Sequence, residues 1–316
     1  MKYCILYILL TFATLLWSPV LGHKITAEEF TWKLIENSLN STKTTENFVI
    51  APYEAYKLYK DIFNIEDESD EDSSQQTEDD KVATPELTTI MPAIRKHQKT
   101  LSSNRTNHLD FLSSISLTAR WSFNFQTRDT HKRVFHQHGK QNQKIWMDCL
   151  RKDDTFYYSH NEQLNASILE LPLNVKAIKL TVILPDQWDA LPQLKEYLLE
   201  NMDDFNDLIT KTNRMTLVRL LLPKFQLSYK KDLTEFFEEV SAKEVDKYEN
   251  VYQSANLEFN ERGIGRFERT TVLFWNAYSY LRVSPELFDM SHPFLFLISN
   301  KDGIQFFGQV VKMQHS

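Results

Sequence analysis

Asn260-Glu261-Arg262-Gly263 opens the stretch that decides the fold, and His292-Pro293-Phe294-Leu295-Phe296-Leu297-Ile298 closes it. Roughly thirty residues with little apolar pattern lie between them, a length that marks a loop as either functional or disordered. Before this stretch, Ala255-Asn256-Leu257-Glu258-Phe259 alternates apolar and polar residues at period two, the signature of a half-buried strand. After it, two apolar runs flank Asn300-Lys301-Asp302-Gly303, whose Asp-Gly step predicts a tight hairpin. Phe294, Phe296, Ile298, Phe306 and Val310 recur at strand spacing and are too apolar to expose together.

The chain has 316 residues, enough for a full hydrophobic core in one or two domains. Its formal charge of -7 offers no basic surface and excludes nucleic acid as an expected partner. Met1 to Gly22 combines an early Lys2, an apolar run from Ile5 to Leu16, Pro19 and a small-residue end. This is the pattern of a secretory signal peptide cut after Gly22, so residues 1–22 are expected to leave and the protein to be secreted. The run is too short for a membrane anchor, and no later stretch reaches the length of a span.

Of the two cysteines, Cys4 lies in the signal and Cys149 has no intrachain partner. Cys149 reads as an idle buried thiol, with an intermolecular disulfide as the alternative. Sequons at Asn40, Asn104 and Asn165 are expected glycan acceptors in a secreted chain. His131, His136 and His138 place a His-x-His pair near a strand, but no third ligand follows at a zinc spacing, so no metal is expected. No nucleophile elbow, HExxH or phosphate-cradling glycine loop occurs, and neither an enzyme nor a cofactor is expected.

Thr26 and Glu29 form a capping box ahead of a helix whose Phe30, Leu34, Ile35 and Leu39 share a face. Asp232 is read as the cap of a second helix with Leu233, Phe236, Phe237 and Val240 on one side. Pro85 to Lys99 carries Leu87, Ile90, Met91 and Ile94 at helical spacing. Glu66 to Asp80 contains no apolar residue and is read as a disordered acidic insert, near 64–82, without the glycine and distal glutamate of a calcium loop.

Taken in order, the tags resemble the serpin family. They run from Glu46-Asn47-Phe48-Val49-Ile50-Ala51-Pro52 through Phe111 to Leu117, Trp121, Phe125, Thr130 and Phe135. Ile145-Trp146-Met147, Ile168-Leu169-Glu170-Leu171-Pro172, Leu180 to Pro185 and Leu222-Pro223-Lys224-Phe225 follow. Asn-Glu-Arg-Gly, His-Pro-Phe-Leu-Phe-Leu-Ile and Phe306-Phe307-Gly308-Gln309-Val310 complete the match, over about two thirds of the chain. The resemblance implies an α+β fold with mixed sheets, packed helices, an exposed reactive-centre loop and a buried C-terminal hairpin. Too few residues separate Pro52 from Phe111 for a full-length member, so several helices and two strands of the main sheet are unaccounted for.

The resemblance makes Glu261, Arg262, Gly263 and Ile264 the hinge of the reactive loop. It places the scissile bond near Ala277-Tyr278, or toward Arg282, where the plainer reading is a solvated charge. Small residues normally beneath the sheet's opening point correspond to Ala51 and Glu54, the usual Asn to Ser113, and the usual buried His to Gln253. Family members trap proteases when the cut loop inserts as a central strand, which small residues after the hinge permit. Ile264-Gly265-Arg266-Phe267-Glu268-Arg269 is instead bulky and charged, and an uncompensated buried ion costs several kcal/mol. The expectation is a single domain over residues 23–316 in a secreted, monomeric glycoprotein. It is a serine-protease inhibitor by resemblance, of the kind found in insect secretions such as seminal fluid, with an extracellular serine protease as partner and trapping impaired. The alternative is a non-inhibitory binding or carrier protein on the same fold.

Overall fold

A computed structural model describes residues 25–63, 65, 110–175, 177–210, 214–241, 250–267 and 284–313. The signal segment, the acidic insert, the helical pattern at Pro85–Lys99 and most of the predicted reactive loop lie outside the described residues.

Helix α1 (Ala27–Ser41) starts where the capping residues predicted. Thr26 Oγ1 accepts from Glu29 N at 3.1 Å, while the Glu29 carboxylate pairs forward with Lys33 at 3.0 Å. After β1 (Phe48–Ile50), helix α2 (Pro52–Phe63) begins on a proline, whose missing N–H costs nothing at the first helical position. Then come β2 (Asp110–Ser116), β3 (Ala119–Arg120), β4 (His131–His136) and β5 (Lys144–Asn161). They are followed by β6 (Ala166–Pro172), β7 (Lys179–Pro185), α3 (Leu191–Glu200) and α4 (Phe205–Thr210). Next are β8 (Arg214–Pro223), β9 (Phe225–Asp232), α5 (Thr234–Ser241) and β10 (Asn250–Asn260). The last strands are β11 (Gly263–Ile264), β12 (Glu286–Asp289), β13 (Phe294–Asn300) and β14 (Gly303–Val310).

A nine-stranded sheet runs β1-β14-β13-β7-β6-β5-β8-β12, with β4 beside β5. A five-stranded sheet runs β2-β10-β11-β3, with β9 on β10. Alternate residues of the C-terminal hairpin serve two cores, which is why its sequence is a continuous apolar run rather than an alternation. Phe294, Phe296, Ile298, Phe306 and Val310 belong to the core that also takes residues of β10 and β11. Leu295, Leu297 and Phe307 belong to the core shared with α1, α2 and α3. Packing is tight enough that a Cβ on Gly308 would collide with the Phe296 ring and the Phe48 carbonyl. The residue just before β1 is stitched to the residues just after β14. Asn47 Oδ1 accepts from Val311 N at 2.7 Å, and its Nδ2 donates to Lys312 O at 2.7 Å.

Three details differ from the sequence reading. The stretch read as patternless up to His292 contains β12, which pairs in parallel with β8. Only Phe288 of its four residues is buried, so it gave no period. The Ile145-Trp146-Met147 tag and the apolar residues at Phe156-Tyr157-Tyr158 belong to one continuous strand, joined through Arg151-Lys152-Asp153-Asp154, whose charges pair with one another and with Arg219. Asp232 ends β9, and its carboxylate accepts from the Thr234 N–H at 3.0 Å, one residue ahead of the cap position of the helix that starts at Thr234.

Candidate functional site

Strand β10 alternates inward and outward along its length, with Val251, Gln253, Ala255, Leu257 and Phe259 inward. It ends in a tight turn through Glu261 and Arg262, which brings Gly263 opposite Asn260 and Ile264 opposite Phe259. The Asn260 side chain organises this turn. Its Oδ1 accepts from Arg262 N at 3.0 Å, and its Nδ2 donates to Gly265 O at 2.9 Å, the local bonding that favours asparagine in turns. Trp121 Nε1 donates to Asn260 O at 2.9 Å, and Trp121 N to Arg262 O at 3.1 Å. Lys224 pairs with Glu261 at 2.9 Å.

Past the turn, β11 lies between β10 and β3, with Gly263 against Arg120 and Ile264 against Ala119. Gly265 has φ +114°, and a Cβ there would collide with the Leu117 carbonyl, so glycine answers both the backbone angle and the close approach. Its N–H donates to Glu258 O at 2.7 Å. Ile264 is fully buried and joins the core between the sheets. Arg266 is solvent-exposed and reaches Glu258 at 3.3 Å, and the Arg120 guanidinium stacks over the Phe267 ring at 5.1 Å.

Below this turn, β2 pairs directly with β10 in parallel register, from Asp110↔Asn250 to Ser116↔Asn256. Among the described residues β10 is the one strand paired with β2. Ser113 and Gln253 are register partners and both are buried. Gln253 Oε1 accepts from Ala51 N at 2.7 Å, and its Nε2 donates to Ala51 O at 2.9 Å. Sequence reading treated Gln253 only as a family position replaced. A polar residue in the inward register of β10 was the signal that it bonds something buried. Glu54, also buried, accepts from Lys57 at 3.1 Å through Oε1.

Glu261, Arg262, Gly263 and Ile264 thus form the turn and short strand at the end of β10, whereas Ser113 and Gln253 pair farther back along the same strand, where Gln253 bonds Ala51. Ala277, Tyr278 and Arg282 lie outside the described residues, as does Asn104. Asn40, on α1, and Asn165, in a turn with φ +46°, are both exposed. His136 and His138 each leave Nδ1 buried without a hydrogen-bond partner among the described residues. Among the described residues no group of three or more His, Cys, Asp or Glu is placed to ligate a metal. Cys149 is buried, and desolvation pushes its thiol pKa up to about 12.

The family model for "Serpin (serine protease inhibitor)" matches residues 91–313. Iripin-2 of Ixodes ricinus is 28% identical over 221 residues, covering 65% of this chain and 54% of the relative. The chain thus spans about half the length of the curated relatives it matches. Among solved structures, Serpin48 of the insect Tenebrio molitor superposes with TM-score 0.55 at 24% identity, covering 67% of this chain and 58% of that one. Human thyroxine-binding globulin, complexed with thyroxine, superposes with TM-score 0.53 at 16% identity, covering 68% and 59%.

Proposed function

The chain belongs to the serpin family, and on that premise we propose that it is a secreted protein that offers the segment between Gly263 and Pro293 to extracellular serine proteases as a substrate-like competitor. In this reading Glu261 to Ile264 is the hinge, the scissile bond lies near Ala277-Tyr278 or Arg282, and trapping by loop insertion is impaired. The protein is monomeric, with glycans at Asn40, Asn104 and Asn165. The exposure of Asn40 and Asn165 supports two of those sites.

One observation carries the impairment. Ile264 faces the core. A strand continuing from it at period two would turn Arg266 and Glu268 to the same buried face. Arg266 would have to leave water and its contact with Glu258, at a cost of several kcal/mol for each ion not fully compensated. An inserted strand would also separate β2 from β10, its one partner among the described residues. The test is incubation with trypsin-, chymotrypsin- and elastase-like proteases, followed by a denaturing gel. Cleavage within 264–293 without a covalent adduct is expected, and an SDS-stable adduct would overturn the proposed impairment.

A second reading, a non-inhibitory carrier, rests on a cavity of about 440 Å³ bordered by Trp32, Thr181, Leu297 and Ile304. A volume in this range suits a small molecule. Resistance of the loop to every protease, together with saturable uptake of a small apolar ligand, would favour it.

A further inference from the structure

Two histidines hold the open end of the C-terminal hairpin, where Phe294 pairs with Val310. At the entry, the His292 ring donates from Nε2 to Pro185 O at 2.7 Å, and His136 N donates to Ser291 O at 2.7 Å. At the exit, His138 N donates to Val311 O at 2.6 Å, while Asn47 Oδ1 accepts from Val311 N and Lys312 N. One short run, His136 to His138, thus bonds both the chain that enters the hairpin and the chain that leaves it.

Both rings sit where an imidazolium is poorly served. The His138 Nδ1 is buried and meets no partner among the described residues, so the second N–H of a charged ring would find no acceptor there. Burial, then Lys312 and Lys140, hold the His138 pKa below its ordinary value, against the backbone of Thr45. Glu46, next to Thr45, and Asp189, against Gly139, form no ion pair with His138 among the described residues. Burial also lowers His292, against the Pro185 carbonyl and Asp289; His136 lowers it further and Asp186 raises it. Both of those carboxylates are already engaged, Asp289 by Arg133 at 2.9 Å and Asp186 by His160 at 2.8 Å.

We propose that this end of the hairpin is an acid-sensitive latch, in which proton uptake by His138 and His292 loosens residues 290–293 and 311–313 while the two cores stay folded. Below the ordinary histidine value of 6.5 the opened end binds more protons than the closed one. Closure is therefore complete above that value and weakens as the pH falls, the range in which histidine acts as a switch. The inference does not depend on how the segment after Gly263 meets proteases.

The test is hydrogen exchange on the full chain at about pH 7.5 and about pH 5.5, either side of the ordinary histidine value, with the intrinsic exchange rate at each pH divided out. Protection of the His138, Val311 and Lys312 amides is expected to fall about tenfold at the lower pH. Leu169 and Val182, partners in the β6–β7 ladder, should keep theirs. A double variant, His138→Gln with His292→Gln, is neutral at both pH values and should keep its hairpin protection in acid. The comparison on the unaltered chain stays decisive even if the variant does not fold. A change below about twofold at the hairpin end, an equal loss at Leu169 and Val182, or an undiminished loss in the double variant would overturn the proposal.

Discussion

Gln253 and Ala51 exchange a reciprocal pair of hydrogen bonds, the side-chain amide of one serving the N–H and the carbonyl of the other. The Ala51 carbonyl also accepts the first helical bond of α2, from Ala55 N at 2.9 Å. Gln253 therefore ties the middle of β10 to the start of α2, beneath the line where β2 meets β10. Replacing it by Leu fills a similar volume but leaves the buried Ala51 N–H without an acceptor. A loss of about 1–3 kcal/mol is expected, lowering the melting temperature by roughly 2–5 °C for a chain of this size. Urea denaturation measures it, and a loss below about 0.5 kcal/mol would show that the bond pair does not fasten the sheet.

The C-terminal hairpin is expected to be indispensable. Phe306 and Phe307 face opposite cores, and a buried side chain of this size is worth about 1.5–3 kcal/mol. A chain ending at Asn300 would lose both, together with the β14 partner of β1 and β13. It should be insoluble or lack a cooperative melt. A soluble truncation with a sharp thermal transition would contradict this account of the core.

Nicking the segment after Gly263 should raise the melting temperature by no more than a few degrees. Insertion would relieve strain in an inhibitory family member, but here it would carry Arg266 to the buried face that Ile264 already occupies. Calorimetry before and after limited proteolysis gives the answer. A rise of tens of degrees would mean that the strand inserts despite its charges.

Two buried lysines make stability depend on alkaline pH. Lys195 donates to Thr42 O at 3.1 Å, and Lys231 to Asn37 Oδ1 at 3.0 Å and Ser41 Oγ at 2.8 Å, all at the C-terminal end of α1. Desolvation lowers each pKa from 10.5 to about 8. Between those values the unfolded chain binds more protons than the folded one, so stability from these groups rises with pH from about 8 to 10.5. Lys231→Met should flatten that rise in denaturant titrations taken at successive pH values. An unchanged slope would remove Lys231 as a cause.

Cys149 should be inert in the folded protein. It is buried, its pKa is raised to about 12 by desolvation, and the thiolate is the reactive form. Iodoacetamide should label it only after denaturation. Rapid labelling of the native protein would show that the strand pair β4–β5 opens locally.

Much of the architecture was legible because it rests on local periodicity. The alternation in β10, the apolar run of β13, the Asp302-Gly303 turn and the Thr26 cap each follow from the spacing of a few neighbouring residues, and each appears where that spacing placed it. The ordered tags gave the family, because a core shared by many elements constrains residues along the whole chain. Strand β12 escaped notice since one inward residue in four makes no pattern. The sequence alone also left open which face of a strand after Gly263 would be buried, because either parity put a charge inside. Only the packing of Ile264 against the inter-sheet core decides it. The bonds from Gln253 to Ala51 and from the two lysines to the end of α1 join residues far apart in the chain. No local rule encodes them. They exist because burying a polar group demands a partner, and only the assembled tertiary structure determines which partner is within reach.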